Sequence, residues 1–283
     1  MLNSYRNISF SEYRALYRSR GLRIENCRFD GSDDGEDILL ESTDIIIKDC
    51  YFNLPYPLWH SDSIYISHIE MTERCRGPVW YSSNVNISES QLYGPKAFRE
   101  CSGISIKKCD IISPEFGWYT HGVDMNDCKA GGVYFLMQAD NIRLEKVCLS
   151  GKYSFQYIKD SFFSDCVFDS KDIFWHAKNV TLKNCTLNGD FPVWYSDNIT
   201  LENCTITGEM PFYSCKNLKL INCRMLDTED AFEKSEVEAD ITTVVTSIVN
   251  PKSGYIRAAG VREIIMDDPD AKAEIITINK DQE

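Results

Sequence analysis

Apolar and polar positions along this chain repeat with a period much longer than one strand. Cysteine marks the period, since it returns every ~19 residues in one even series, a spacing typical of stacked structural repeats. The series contains Cys109, Cys128, Cys166, Cys185, Cys204 and Cys223, with Val147 in the gap. Towards the N-terminus it continues through Ser90, Ile69, Cys50 and Cys27, where the steps from Ser90 to Ile69 and from Cys50 to Cys27 are longer. We therefore predict about eleven coils of roughly 19 residues.

Each repeat contains three short apolar pieces. Two apolar columns lie three and five places before the cysteine column and enclose a polar residue, as in Ile199, Thr200 and Leu201. This period of two predicts a strand with one buried face. Cys204 and Ile206 exemplify a second inward pair that predicts another short strand. A third apolar column lies eleven places before the cysteines, at Leu58, Val79, Phe98, Leu136, Phe155, Phe174, Val193 and Phe212.

Asparagine and glycine recur between the apolar pieces, where sharp corners are needed. The asparagine column contains Asn84, Asn141, Asn179, Asn198 and Asn217, and the glycine column contains Gly94, Gly132, Gly151, Gly189 and Gly208. Both residue types tolerate left-handed backbone angles. Three strands and three corners per circuit predict an all-β fold, a single-stranded parallel β-helix, which should be right-handed because parallel crossover connections almost always are. A leucine-rich repeat is disfavoured because no helical return segment appears.

The repeat predicts a single β-helix domain over residues 1–283. We expect an N-terminal cap at 1–21, coils at 22–228 and a C-terminal cap at 229–283, because open solenoid ends require protection. Residues Phe10 to Arg20 are compatible with a short helix or an imperfect first coil. In the C-terminal cap we expect strands at Ile241 to Val249 and at Glu274 to Ile278.

Composition narrows the classes of partner and compartment. The 283 residues are 43% hydrophobic and carry a formal net charge of −13, which argues against nucleic acid and anionic membranes as partners. The sequence shows neither a signal peptide nor a transmembrane segment, so we expect a cytoplasmic protein. Most of the cysteines share one inward column with valine and isoleucine, which indicates packing, and Cys-x-x-Cys motifs are absent. We therefore expect no metal and no cofactor.

A column of large aromatic residues is the main candidate for binding. All five tryptophans, Trp59, Trp80, Trp118, Trp175 and Trp194, lie ten places before the cysteine column, and the next column includes Tyr81 and Tyr195. Neighbouring residues of a strand point to opposite faces, and the apolar column before the indoles is expected to be buried. This predicts an outward aromatic stripe that binds extended carbohydrate. The alternative is a packing surface covered by a protein ligand or a second subunit as a homo-oligomer.

Catalytic signals are sparser than binding signals. Glycosidases use two carboxylates roughly 5 to 9.5 Å apart, and outward acids on nearby coils could provide them. The candidates are Glu100 and Asp124, with Arg99 and His121 on neighbouring coils. The alternative interpretation is an ordinary solvated face, since charged outward residues are common on such a scaffold.

The chain resembles an uncharacterised bacterial family of pectin-lyase-like, right-handed β-helix proteins that is known as a domain of unknown function. The resemblance rests on Tyr13 to Tyr17, on the recurrent Trp-Tyr-Ser and Asn-Cys coils, and on Asn250 to Gly254 with Arg262 to Ile265. It implies the fold and an association with carbohydrate-active relatives by analogy. The paired aspartates and the Gly-His-Gly motif of polygalacturonase-like proteins are not intact, since His121 lacks the preceding glycine.

Three functional hypotheses follow. The leading one is a β-helix without a demonstrable catalytic motif that presents an aromatic surface to a carbohydrate or protein ligand. The second is a polysaccharide lyase or glycoside hydrolase with a non-standard site at Arg99, Glu100, His121 and Asp124. The third is a self-associating structural scaffold.

Overall fold

The computed structural model describes residues 3–31 and 37–278. The outermost residues of the two predicted caps, 1–2 and 279–283, lie outside this range. The chain folds into two compact units, Met1–Val147 and Cys148–Glu283. Both units are built from parallel strands, and no helix occurs within the described residues.

Unit 1 carries strands on two sides of each coil and occasionally on a third. The first side consists of β1 (Asn3–Arg6), β3 (Arg20–Glu25), β5 (Thr43–Lys48), β7 (Asp62–Ser67), β10 (Ser83–Ser88), β13 (Ser102–Lys107), β15 (His121–Asn126) and β17 (Asp140–Glu145). The second consists of β2 (Ser9–Phe10), β4 (Arg28–Phe29), β6 (Tyr51–Phe52), β8 (Glu70–Met71), β11 (Gln91–Leu92), β14 (Asp110–Ile112) and β16 (Lys129–Val133). The third side has β9 (Val79–Trp80) and β12 (Phe98–Arg99).

Unit 2 repeats the first two sides and ends in longer strands. Its first side consists of β19 (Lys159–Ser164), β21 (Lys178–Lys183), β23 (Asp197–Glu202), β25 (Lys216–Leu226), β26 (Glu236–Val249), β27 (Ser253–Ile265) and β28 (Glu274–Thr277). Its second side consists of β18 (Cys148–Lys152), β20 (Val167–Lys171), β22 (Thr186–Asn188) and β24 (Thr205–Thr207), and the end of β25 pairs with β24.

The strand register confirms the predicted period and its irregular steps. In unit 1, Ser83 pairs with Ser102 and Ser102 pairs with His121, which is the spacing of the cysteine series. A longer predicted step also appears, since Arg20 pairs with Thr43. In unit 2, Lys178 pairs with Asp197, again at the regular spacing. The predicted parallel β-helix is therefore confirmed.

The described residues contain more coils than the sequence predicted. They form about 14 turns of ~19 residues, against an expected eleven. In unit 1, β1 already pairs in parallel with β3, ahead of the predicted first coil. In unit 2, β26, β27 and β28 pair in parallel beyond the predicted last coil. The repeat becomes shorter there, since Glu236 pairs with Ser253. The regular cysteine column therefore ends, and the sequence period no longer predicts these coils.

The third side of the coil is mostly turn, although the sequence predicted a strand there. In unit 2, Asp172, Phe174 and His176 all have positive φ, of 55°, 59° and 54°. Left-handed residues cannot form an extended strand. Backbone hydrogen bonds still join neighbouring coils, since the Phe174 N–H donates to the Ser154 carbonyl at 3.1 Å. The predicted apolar column is nevertheless buried, with Phe174 fully inside.

The cysteine column is buried and also satisfies backbone groups at a corner. Cys204 Sγ donates to the carbonyls of Leu182 and Glu202 at 3.5 and 3.4 Å, and accepts from the Cys185 N–H at 3.4 Å. Buried polar backbone groups need such partners. Cysteine therefore provides both apolar volume and weak hydrogen bonds, whereas valine or isoleucine provides volume alone.

We expect thiol reagents to modify a single cysteine in the native protein. Of the 12 cysteines, 11 are buried and Cys148 is exposed. Burial raises the pKa of the Cys50, Cys75 and Cys101 thiols to about 11 and that of Cys215 to about 12. These thiols therefore stay protonated at neutral pH, and the thiolate is the reactive species. Mass spectrometry after iodoacetamide treatment should show one adduct in buffer and twelve in denaturant, and equally fast labelling of Cys204 would contradict the buried column.

Candidate functional site

Two adjacent columns lie on the third side of the coil, and all their members named below except the buried Gln156 are half-buried or exposed. The indole column contains Trp59, Trp80, Arg99 and Trp118 in unit 1, and Gln156, Trp175, Trp194 and Tyr213 in unit 2. The outer ring column contains His60, Tyr81, Glu100, Tyr119 and Gln138 in unit 1, and Tyr157, His176 and Tyr195 in unit 2. Every one of these outer ring residues has a φ between 50° and 59°. This left-handed corner breaks the alternation of a strand, so the residues of the outer ring column are exposed beside the indole column instead of pointing to the opposite face.

The five indoles are half-buried, and four of them are held against the backbone. The Nε1–H groups of Trp59, Trp80, Trp118 and Trp194 donate to main-chain carbonyls at 2.6, 2.7, 2.7 and 2.8 Å. Such bonds fix the orientation of the rings. The exposed rings are instead those of the outer ring column, so the surface differs from the predicted stripe of exposed indoles.

In unit 1 the rings of neighbouring coils stack on each other. Trp59 and Trp80 have centroids 5.1 Å apart and planes within 7°, and His60 and Tyr81 lie 4.9 Å apart at 14°. Because neighbouring rings cover each other's faces, the ring edges are the parts exposed to solvent. The edges of Tyr81 and His60 carry a phenol hydroxyl and an imidazole nitrogen, which are hydrogen-bonding groups.

Tyr119 is the more exposed of the two tyrosines of this column in unit 1. Its coil neighbours in the column are Glu100 and Gln138, so no aromatic ring stacks on it from these positions, and its exposed fraction is 46%. Trp118 meets it edge to face, with centroids 6.4 Å apart. The Arg99 guanidinium lies 5.7 Å from its ring centroid. Tyr119 thus combines an accessible ring with a carboxylate, an amide and a guanidinium nearby.

In unit 2 the outer ring column forms a continuous stack. Tyr157 and His176 lie 5.0 Å apart at 12°, and His176 and Tyr195 lie 5.2 Å apart at 14°. Tyr213 of the indole column then meets Tyr195 edge to face at 5.3 Å. Desolvation raises the pKa of Tyr195, so its hydroxyl stays a neutral donor and acceptor.

The four predicted catalytic residues do not form one cluster within the described part of the chain. Arg99 Nε lies 3.5 Å from Glu100 Oε1. His121 instead pairs with Asp140 of the next coil. Asp124 is three residues further along β15, about 10 Å from His121 for an extended chain, and its register partner is Arg143.

A polar groove of about 770 Å³ in unit 1 was missed by the sequence analysis. Its wall includes His68, whose Nε2 lies 2.7 Å from Glu89 Oε2, and Lys108, which lies 3.7 Å from the other oxygen of Glu89. The equivalent corner in unit 2 holds a hydrogen-bonded asparagine ladder formed by Asn184, Asn203 and Asn222. At the position just before the cysteine column, unit 1 has the ionisable residues His68, Glu89 and Lys108 where unit 2 has these asparagines. This difference is the sequence signal that could have indicated the groove.

Comparison with known proteins places this chain in a family. The family described as "Protein of unknown function (DUF3737)" matches residues 3–279. The chain belongs to this family. The match confirms the resemblance on which the sequence analysis relied. No curated protein matches the DUF3737 chain.

Solved structures with a similar fold come from proteins of very different sequence. The DUF3737 chain is similar to a tailspike double mutant of E. coli bacteriophage HK620 in complex with a pentasaccharide, with a TM-score of 0.55, 7% identity, and coverage of 93% of this chain and 70% of that one. It is also similar to the A-module of the Azotobacter vinelandii mannuronan C-5 epimerase AlgE4, with a TM-score of 0.32, 9% identity, and coverage of 96% of this chain and 86% of that one. A third similar structure is that of PfbA, a surface adhesin of Streptococcus pneumoniae, with a TM-score of 0.31, 12% identity, and coverage of 88% of this chain and 62% of that one. The likeness to the tailspike shows the fold.

Metal-binding clusters and membrane-spanning helices do not occur in the described part of the DUF3737 chain. Within residues 3–31 and 37–278, no group of three or more His, Cys, Asp or Glu side chains is arranged to hold a metal ion. In the same ranges, no helix is long and apolar enough to cross a membrane.

Proposed function

We propose that the outer ring column is a carbohydrate-binding surface. The observation that carries this proposal is the exposed rings that each unit presents, Tyr81 and Tyr119 in unit 1 and Tyr157 and Tyr195 in unit 2, each 40–46% exposed. Contiguous exposed apolar surface often marks an interaction site, and within each unit these rings lie on one side of the coil. A tyrosine has an apolar ring and a polar tip, which suits a sugar with apolar C–H faces and peripheral hydroxyls.

The spacing of the coils supports an extended sugar chain as the ligand. Neighbouring parallel strands lie about 4.8 Å apart, which is close to the advance of an extended pyranose chain per residue. Each coil in a unit would then face one sugar ring. In unit 1, Tyr119 would stack on a ring while Glu100 and Gln138 bind its hydroxyls.

Charge and fold favour a neutral glycan. A net charge of −13 repels polyanions at long range. The bacteriophage tailspike of the same fold is in complex with a pentasaccharide, so a β-helix is a suitable scaffold for a sugar chain. The outer ring column provides phenols, imidazoles and an amide, which can hydrogen-bond uncharged hydroxyls.

We expect calorimetric titration with neutral tetra- to hexasaccharides to detect a ligand whose affinity falls about tenfold in Tyr119→Ala. The loss corresponds to about 1.4 kcal/mol, the upper range for one aromatic contact. Tyr65→Ala is the matched control, since Tyr65 is 54% exposed on β7, away from the column, and its affinity should stay unchanged. Absence of binding across cello-, manno-, xylo- and chito-oligosaccharides would refute the proposal.

A further inference from the structure

Trp175 differs from the other four tryptophans in its hydrogen bonding. The other indole N–H groups each donate to a main-chain carbonyl. Trp175 Nε1 is buried and has no hydrogen-bond partner among the described residues. A buried donor without a partner is costly and calls for an explanation.

The orientation of the Trp175 ring explains the missing bond. Trp80, Trp118 and Trp194 each stand edge to face against the tyrosine that follows, at 90°, 85° and 86°. Trp175 instead lies nearly parallel to His176, at 16° with centroids 5.8 Å apart. Its indole stacks with the rings of the outer ring column and is held by these ring contacts rather than by a hydrogen bond.

A second unpartnered donor lies on the adjacent coil of unit 2. Gln156 is 5% exposed, and its Nε2 is buried without a hydrogen-bond partner in the described part of the chain. The two coils are joined at this point, since the Tyr157 N–H donates to the Trp175 carbonyl at 2.7 Å. Gln156 and Trp175 therefore occupy the same position of consecutive coils and leave two neutral donors without an acceptor.

The chemistry of these donors indicates the group that would satisfy them. A carbonyl oxygen has two lone pairs and can accept from both donors. Neutral donors suit a neutral acceptor, because a charged group would lose more hydration on entering an aromatic site. An acetamido group offers this carbonyl together with a methyl group that can pack on the rings of Trp175, His176 and Tyr195.

We propose that Gln156 and Trp175 form a subsite for the acetamido group of an N-acetylated sugar, which rests on the proposed carbohydrate-binding function. The indole of Trp175 moves to admit the group, because it lacks the backbone hydrogen bond that fixes the other four. The ligand carbonyl then accepts from Trp175 Nε1 and Gln156 Nε2.

The test compares tetra-N-acetylchitotetraose with cellotetraose, which carry an acetamido group and a hydroxyl, respectively, at C2 of each sugar. The wild-type protein should bind the N-acetylated tetrasaccharide at least about tenfold more tightly, as expected for two hydrogen bonds to neutral donors. Trp175→Phe removes the N–H and keeps an aromatic ring, and should reduce the preference about fivefold. Gln156→Met removes the amide donor at similar volume and should have the same effect.

Trp194→Phe is the matched control, because its N–H already donates to the Met210 carbonyl. It should lower the melting temperature and leave the preference unchanged. Two results would overturn the acetamido subsite: equal affinity of the wild type for both tetrasaccharides, or an unchanged preference in Trp175→Phe and Gln156→Met. Neither result would contradict the proposed carbohydrate-binding surface. Failure to bind any oligosaccharide would overturn both.

Discussion

Replacing Phe174 with alanine is expected to lower the free energy of unfolding by about 4 kcal/mol. Phe174 is fully buried in unit 2. Its ring contacts those of Phe155, Phe163 and Phe168, at centroid distances of 5.1, 5.3 and 5.9 Å. The loss combines removed apolar surface with a cavity that consecutive, hydrogen-bonded coils cannot close, since protein interiors are closely packed.

Urea denaturation followed by circular dichroism would measure this loss. Phe174→Leu keeps most of the volume and should cost less than about 1.5 kcal/mol. Val167→Ala, at an exposed position of β20, should change stability by less than about 0.5 kcal/mol. If Phe174→Ala and Val167→Ala had similar effects, the aromatic core of unit 2 would be disproved.

Replacing Gly254 with alanine should destabilise the pairing of β26 and β27 by about 3 kcal/mol. Gly254 has a φ of +96°, and a Cβ at this position would lie 1.9 Å from the Val237 carbonyl oxygen. Val237 is its register partner, so relieving the clash must separate paired backbones. A left-handed backbone adds strain for any residue with a Cβ.

Gly260→Ala is the matched control for this change, because Gly260 lies in the same strand. A Cβ there would meet the Val244 side chain at 3.4 Å, and alanine also reduces the conformational freedom of the unfolded chain. Gly260→Ala should therefore stay within about 1 kcal/mol of the wild type. Hydrogen exchange should show faster exchange of β26 and β27 amides in Gly254→Ala alone, and equal protection in both variants would argue against the close approach.

Much of the candidate site was visible in the sequence. The indole column and the column after it were found by counting from the cysteines, because stacked coils place residues that are one repeat apart beside each other. The polar groove around His68 and Glu89 in unit 1 was missed, since its walls come from positions on both sides of the cysteine column. Only folding shows that such positions share one concave surface.

The sequence by itself determined the parallel β-helix, its period with the irregular steps near the N-terminus, and the buried apolar columns. These follow from local patterning, since apolar residues at a fixed period must share one interior. The tertiary structure decided the half-burial of the indoles, the exposure and stacking of the outer rings, and the unpartnered donors of Gln156 and Trp175. Positive φ is uncommon for residues other than glycine, and tyrosine is not among the residue types that favour it. No local rule therefore predicts that Tyr195 would adopt a left-handed angle, or that His176 would do so at the equivalent position of the preceding coil. Contacts between neighbouring coils, such as the 2.8 Å bond from the His176 N–H to the Trp194 carbonyl, hold them there.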